Sequence, residues 1–161
     1  MPARKHNGDV ARIRKAKPSD AEGILVIEQS CFANLAERFG IRQIRRLIGS
    51  PNADVLAAAS AGGDIVGWAA GLVRRSGRGL TGRIYALAVG PEARGLSLGR
   101  LLMRREIALL KTRGAGRIFL EVREDNVAAI RLYLALGFVD RCVRLHYYGR
   151  GLHAKSMLLV I

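Results

Sequence analysis

Residues 84–102, IYALAVGPEARGLSLGRLL, decide how the rest of the chain is read. The first six are apolar and β-prone and predict a strand over 84–89. Gly90 and Pro91 predict a tight turn after it. Arg94, Gly95, Leu96, Ser97, Leu98 and Gly99 form a basic, glycine-punctuated loop, and a helix starts from there through Arg100 and Leu102. A strand feeding such a loop presents amides that have no intrahelical partner, at the positive end of a helix dipole. That is an anion site bracketed by Arg94 and Arg100, and it points to a phosphate-bearing ligand.

Working outward, the helix should run to about residue 113, with Leu98, Leu101, Leu102, Leu109 and Leu110 as its buried stripe and Gly114 and Gly116 closing it. A strand over 117–122 follows, with Ile118, Leu120 and Val122 on one face and Phe119 and Glu121 on the other. It should lie parallel to 84–89, joined through that helix. Asp125 and Asn126 open another helix, whose apolar residues are Val127, Ile130, Leu134 and Leu136 and which Gly137 ends. A long strand over 138–148, a turn at 149–151 and a strand over 155–161 complete that side. Before the central stretch, 11–16 reads as a strand and Pro18, Ser19 and Asp20 start a helix with Ile24, Ile27 and Cys31 on one face. A second helix is expected over 35–48, apolar through Leu35, Phe39, Ile44, Leu47 and Ile48 and basic through Arg38, Arg42, Arg45 and Arg46. A strand over 55–59, a turn at 61–64 and a strand over 65–73 form a hairpin, with Trp68 as core. Residues 74–82, RRSGRGLTG, read as a basic connection. The whole is an α/β (α+β) domain: a mixed sheet of about seven strands with helices on both faces, spanning 11–161 after a flexible basic tail over 1–10.

The chain has 161 residues, half of them hydrophobic, enough for one core without staples. Its apolar runs are far shorter than a membrane span, and no secretory leader is expected at its start. Cys31 and Cys142 are isolated, with no metal-ligand spacing, and read as small buried hydrophobes in a reducing cytoplasm. The three histidines show no triad or ligand spacing, and no metal site is expected. The net charge of +14 favours anionic partners such as a phosphorylated cofactor, nucleic acid or an acidic protein surface, and does not choose among them. No zinc spacing, RNP-type aromatic pattern or basic-region heptad marks a dedicated nucleic-acid module.

Taken with LEVREDNVAAIRLYLALGF (residues 120–138), the central stretch resembles the GNAT N-acetyltransferases, which use acetyl-coenzyme A. LEVR, N-x-x-A-I-x-L-Y and G-F, with Arg144-x-x-Tyr147-Tyr148 and the terminal Ala154-x-x-Met157, are similar to the RimI branch of that family, whose members acetylate the α-amino group of a ribosomal protein's N-terminal alanine. The likeness is strong over 85–139 and general before 58. The family's loop usually carries glycine where this chain has Ser97, and there a backbone amide must approach phosphate closely; weakened or retained cofactor binding is expected. Gly151, Leu152 and His153 are less acidic than the RimI pattern, so peptide selectivity should differ.

The resemblance implies direct attack of an amine on the acetyl thioester. It places the pyrophosphate on the amides of Arg94, Gly95, Leu96, Ser97, Leu98, Gly99 and Arg100. It places the pantetheine arm along Leu87, Ala88 and Val89, and gives Asn126 and Tyr133 further contacts with the cofactor. It assigns Glu121 as general base and Tyr133 as general acid. By themselves these residues read otherwise: Glu121 as an ion-pair partner of Arg123 or Arg131, Tyr133 as half-buried core, Asn126 as a helix cap. An α-amino group has pKa about 7.7–8.0 against about 10.4 for lysine, so a protein or peptide N-terminus, such as that of a ribosomal protein, is the easier acceptor. A lysine or small-molecule amine remains an alternative within the enzyme class. A basic binding module of the same fold with weak catalysis, anchored on nucleic acid, is the alternative outside it.

Overall fold

Why the second expected helix breaks in two is visible at Phe39. The computed structural model describes residues 11–161, so the tail expected over 1–10 lies outside the described residues. The helix expected over 35–48 is a single 3-10 turn, Leu35–Glu37, followed after an extended link by α2, Ile41–Gly49. Asn34 caps the short turn by accepting from the Ala36 N–H at 2.9 Å. The Phe39 N–H then donates to Glu28 Oε2 at 2.9 Å instead of to a helical carbonyl. Glu28 belongs to α1, Ala21–Cys31, and is buried; its other oxygen accepts from Trp68 Nε1 at 2.9 Å. Trp68 is therefore core, as its size predicts, and also an anchor. Phe39 meets its ring edge-to-face with centroids 5.6 Å apart.

The strands are β1 Arg12–Lys15, β2 Ala53–Ala59, β3 Ile65–Ser76, β4 Gly79–Val89, β5 Ala115–Arg123, β6 Val139–Arg144 and β7 Ala154–Val160. They form one mixed sheet in the order β1-β2-β3-β4-β5-β7-β6, with β4 and β5 parallel and the other neighbours antiparallel. Alternation along the central strands divides the core. Val55, Ala57, Trp68, Ala70, Ala86 and Ala88 pack under α1 and α2. Leu56, Ala58 and Ala69 pack under α3, Leu98–Thr112. Ile118, Leu120, Val122 and Met157 meet α3 and α4, Val127–Ala135.

Two boundaries differ from expectation for identifiable reasons. The connection expected over 74–82 is a hairpin: β3 and β4 pair out to Ser76↔Gly79, leaving a two-residue turn. Its outer end is exposed on both faces, so no apolar alternation betrays it. The strand expected over 138–148 stops at Arg144, because His146 sits in the left-handed region (φ 55°) and turns the chain. His146 Nδ1 accepts from the Gly151 N–H at 2.8 Å, and the His146 N–H donates to His153 Nδ1 at 2.9 Å. These bonds hold the loop that carries Tyr147 and Tyr148. In α3 the stripe also differs: Leu101 is exposed, while Met103 and Glu106 are buried beside Leu98, Leu102 and Leu110. In α4, Val127 and Leu134 are exposed and Tyr133 faces inward.

Candidate active site

The site begins where two parallel strands part. β4 and β5 pair only from Leu80↔Ala115 to Arg83↔Phe119, although β4 continues to Val89 and β5 to Arg123. A bulge marks the separation: Gly71 pairs with Ile84 and Ala70 with Ala86, so Tyr85 is the extra residue. Gly90 donates its N–H to Val66 O on β3 at 2.8 Å. Amides alternate along an extended strand, so those of Leu87 and Val89 point the other way, into the gap, with no ladder partner. The Val89 carbonyl, on the same side, accepts from Cys31 Sγ at 3.3 Å and Arg94 Nε at 3.2 Å.

At the mouth of the gap α3 begins. Its first intrahelical bond runs from the Leu101 N–H to Ser97 O at 3.1 Å, which leaves the amides of Leu98, Gly99 and Arg100 free of helical partners. The resulting crevice, about 710 Å³, is lined by Leu87, Ala88, Val89, Arg94, Gly95, Ser97, Leu98, Gly99, Arg100 and Asn126 of the residues singled out from sequence. Leu96, 62% exposed, points away from it. No carboxylate lines the crevice among the described residues. Strand amides along one wall, helix-end amides and two arginines at the mouth are a donor set that fits a long ligand ending in phosphates. Asn126 caps α4, its Oδ1 accepting from the Ala129 N–H at 3.2 Å, and also lines the crevice.

Ser97 explains its own oddity. It takes φ 58° and ψ 16°, the left-handed conformation that glycine adopts without strain, and its side chain makes no capping bond. Ser97→Gly is therefore expected to stabilise the fold by about 0.5–1 kcal/mol, read as a rise of a few degrees in Tm. An unchanged or lower Tm would mean that the hydroxyl contributes more than the strain removes.

A second cavity, about 400 Å³, adjoins the first through Phe32, Leu87, Asn126 and Ala129. Glu121 and Tyr133 both line it. Glu121 lies on the face of β5 opposite Leu120 and Val122, as its spacing predicts, with a side chain only 5% exposed. Its partners are neither Arg123 nor Arg131. Arg83 Nη2 donates to Glu121 Oε2, and Arg144 Nη2 stands 3.6 Å from Oε1. Arg123 is occupied by Asp125 at 2.5 Å and Glu37 at 3.3 Å. Arg83 also donates to the Tyr147 hydroxyl at 3.2 Å. Tyr133 is buried against Phe138, ring centroids 6.0 Å apart, and its hydroxyl bonds to no described residue. Burial pushes its phenol up to about 12. Tyr148 is raised as well, by burial first and then by neighbouring Tyr147 and Glu121. Burial also raises the Glu28 carboxyl on the cavity wall, against the bonds from Phe39 and Trp68.

Sequence reasoning missed Arg83, because it was read as the seam between a loop and a strand. The alternation of Thr81, Arg83 and Tyr85 with buried Gly82 and Ile84 is the signal that the strand starts earlier. Among the described residues no group of three His, Cys, Asp or Glu is placed to hold a metal, and no helix is long and apolar enough to cross a membrane.

The family profile described as "Acetyltransferase (GNAT) family" matches residues 22–138. The chain belongs to the GNAT acetyltransferase family. Within that family it is similar to a mycothiol acetyltransferase of Stackebrandtia nassauensis, 33% identical over 137 residues, covering 81% of this chain and 45% of that one. It is also similar to the [ribosomal protein bS18]-alanine N-acetyltransferase of Salmonella typhimurium, 43% identical over 65 residues, covering 40% of this chain and 44% of that one. The chain thus spans about half the length of the curated relatives it matches. Its fold superposes on the crystal structure of the ribosomal-protein-S18-alanine N-acetyltransferase from Escherichia coli with TM-score 0.78 at 26% identity over 94% of both chains. This GNAT domain therefore has the seven-stranded mixed sheet of its structural relatives, with the strand-to-helix loop of residues 94–99 at the mouth of its crevice.

Proposed function

We propose that this GNAT domain acetylates the α-amino group of a polypeptide N-terminus with acetyl-coenzyme A as donor. The observation that carries the reading is the junction of two cavities at Leu87 and Asn126, one rich in phosphate-fitting amides and the other holding Glu121 and Tyr133. When bound, acetyl-coenzyme A supplies the activated acyl group. The amides of Leu98, Gly99 and Arg100, with Arg94 and Arg100, would hold its phosphates, and those of Leu87 and Val89 would line its arm. The Val89 N–H is a fixed donor in the gap, of the kind that stabilises an oxygen gaining charge.

Glu121 receives a proton from the acceptor amine, directly or through water. An α-amine is partly neutral near pH 7, so Glu121 has only that one proton to take; a lysine would arrive almost fully charged. Tyr133, on the wall of the cavity that holds Glu121, carries a proton at its hydroxyl, and burial keeps it there at working pH. Tyr147 and Tyr148 stand over the acceptor side on the loop fixed by His146 and His153.

Mass spectrometry of a peptide library incubated with acetyl-coenzyme A tests the reading. Acetylation of α-amines in preference to internal lysines is expected. Acetylation confined to lysine side chains would overturn it. A small-molecule primary amine is the second reading, favoured by the match that covers most of this chain, to a mycothiol acetyltransferase. It gains ground if such amines turn over and no peptide does.

A further inference from the structure

Beside the acceptor cavity, along the sheet face that carries Thr81, Arg83, Phe119 and Glu121, lies a smaller cleft of about 180 Å³. It shares Glu121 and Arg83 with the acceptor cavity, and its other lining residues include Arg74, Arg141 and Arg144 as well as Phe119. Four arginines thus line a cleft whose one carboxylate is Glu121. Arg83 and Arg144 are occupied by Glu121, but Arg74 and Arg141 have no carboxylate partner among the described residues. They rest on rings instead: Arg141 lies 5.1 Å from the centroid of Phe119 and Arg74 lies 6.0 Å from that of Tyr85. Asp140, next to Arg141 on β6, is spent on Lys155 at 3.0 Å. The cleft is the size of one or two side chains, and its excess positive charge is unbalanced from within the fold.

Building on the α-amine reading, we infer that this arginine cleft receives acidic side chains of the acceptor, so that the preferred polypeptide carries Asp or Glu within a few residues after the acetylated amine. An extended chain advances about 3.3 Å per residue. An amine placed at Glu121 therefore brings its second to fourth residues within reach of the cleft that shares Glu121 and Arg83. A carboxylate there meets Arg141, which lies over the Phe119 ring, or Arg74, which lies over that of Tyr85. Planar guanidinium groups held this way are suited to bind carboxylate with little further ordering. The continuity of the cleft with the acceptor cavity favours a polypeptide over nucleic acid, since the bound chain must begin at a reactive amine.

Three peptides with the same first residue, bearing acidic, neutral or basic residues at positions two to four, separate the outcomes. Two measurements are made on the intact chain: kcat/KM, and binding of the labelled peptides by fluorescence anisotropy. Acidic peptides are expected to exceed neutral ones by roughly 3- to 10-fold in both, a margin that shrinks with added salt. Arg74→Glu with Arg141→Glu should bring that ratio to one or below, and Arg74→Gln with Arg141→Gln should lower it partway; both positions are exposed, and both variants are checked for an unchanged Tm. Equal binding of acidic and neutral peptides, or a ratio untouched by the variants, overturns the inference. So does tighter binding of single-stranded RNA of matched charge at the same salt. Selective binding of acidic peptides without any α-acetylation leaves the cleft standing and defeats the proposed function instead.

Discussion

Tyr133→Phe is expected to lower turnover by roughly 10²-fold or more while leaving affinity for acetyl-coenzyme A within about threefold. The variant keeps the ring, and with it the contact to Phe138 that buries it, so the fold is preserved. It removes only the hydroxyl, which bonds to no described residue; Tyr133 lines the cavity that also holds Glu121. Because burial pushes this phenol up to about 12, it is fully protonated across the usable pH range. The loss should therefore be the same at pH 6.5 and at pH 9. Steady-state kinetics at several pH values, with calorimetric binding of acetyl-coenzyme A, check both halves. Turnover equal to the parent chain would falsify the acid role. A loss that appears in the cofactor Kd instead would make Tyr133 a wall of the crevice.

The second large effect lies outside the site. Glu106 of α3 is fully buried against the sheet at Gly71, where a Cβ would come within 2.4 Å of its Oε1, and neither carboxyl oxygen has a well-formed hydrogen bond to a described residue. Burial first, and then the charge of Asp54, push its carboxyl up to about 8; the Gly71 amide and Arg113 offset only part of this. The folded state thus keeps a proton that the unfolded chain has lost above about pH 4.5. Its contribution to stability is whole below that pH and is lost as pH rises toward about 8. Glu106→Gln is expected to match the parent chain near pH 4.5 and to exceed it by several kcal/mol, on the order of 3–5, at pH 8–9. Denaturant unfolding at both pH values reads this directly. A difference that does not change with pH would show that Glu106 does not carry the proton.

Glu106 and Arg83 show what a sequence conceals. The apolar spacing of α3 predicts a leucine stripe, and one glutamate among leucines reads as a surface residue. Only the absence of a side chain at Gly71 and Gly82 lets the helix approach closely enough to bury Glu106 with Leu110. That approach depends on how α3 lies across the β3–β4 hairpin, which precedes it in the chain. Arg83 was hidden similarly. It became the partner of Glu121 because β4 and β5 pair at Arg83↔Phe119 and separate just beyond, a register no local pattern encodes.

By itself, the sequence determined the elements and their order. Periods of two and of 3.6 residues, turn glycines and caps are local properties that survive in any context, so the parallel crossover at 84–122, the loop of residues 94–99, the Asn126 cap and the inward Trp68 were all legible. It also placed Glu121 and Asn126 on strand and helix ends, where their roles are proposed. Tertiary structure alone decided what those residues meet. It opened the gap between β4 and β5 at the Tyr85 bulge and forced Ser97 into a left-handed turn. It broke the second helix so that Glu28 could take the Phe39 amide, and it set Glu121 among arginines from β4 and β6 instead of its sequence neighbours. The Phe39–Glu28 and Arg83–Glu121 contacts join residues 11 and 38 positions apart, and contacts of this kind leave no periodic trace in the chain.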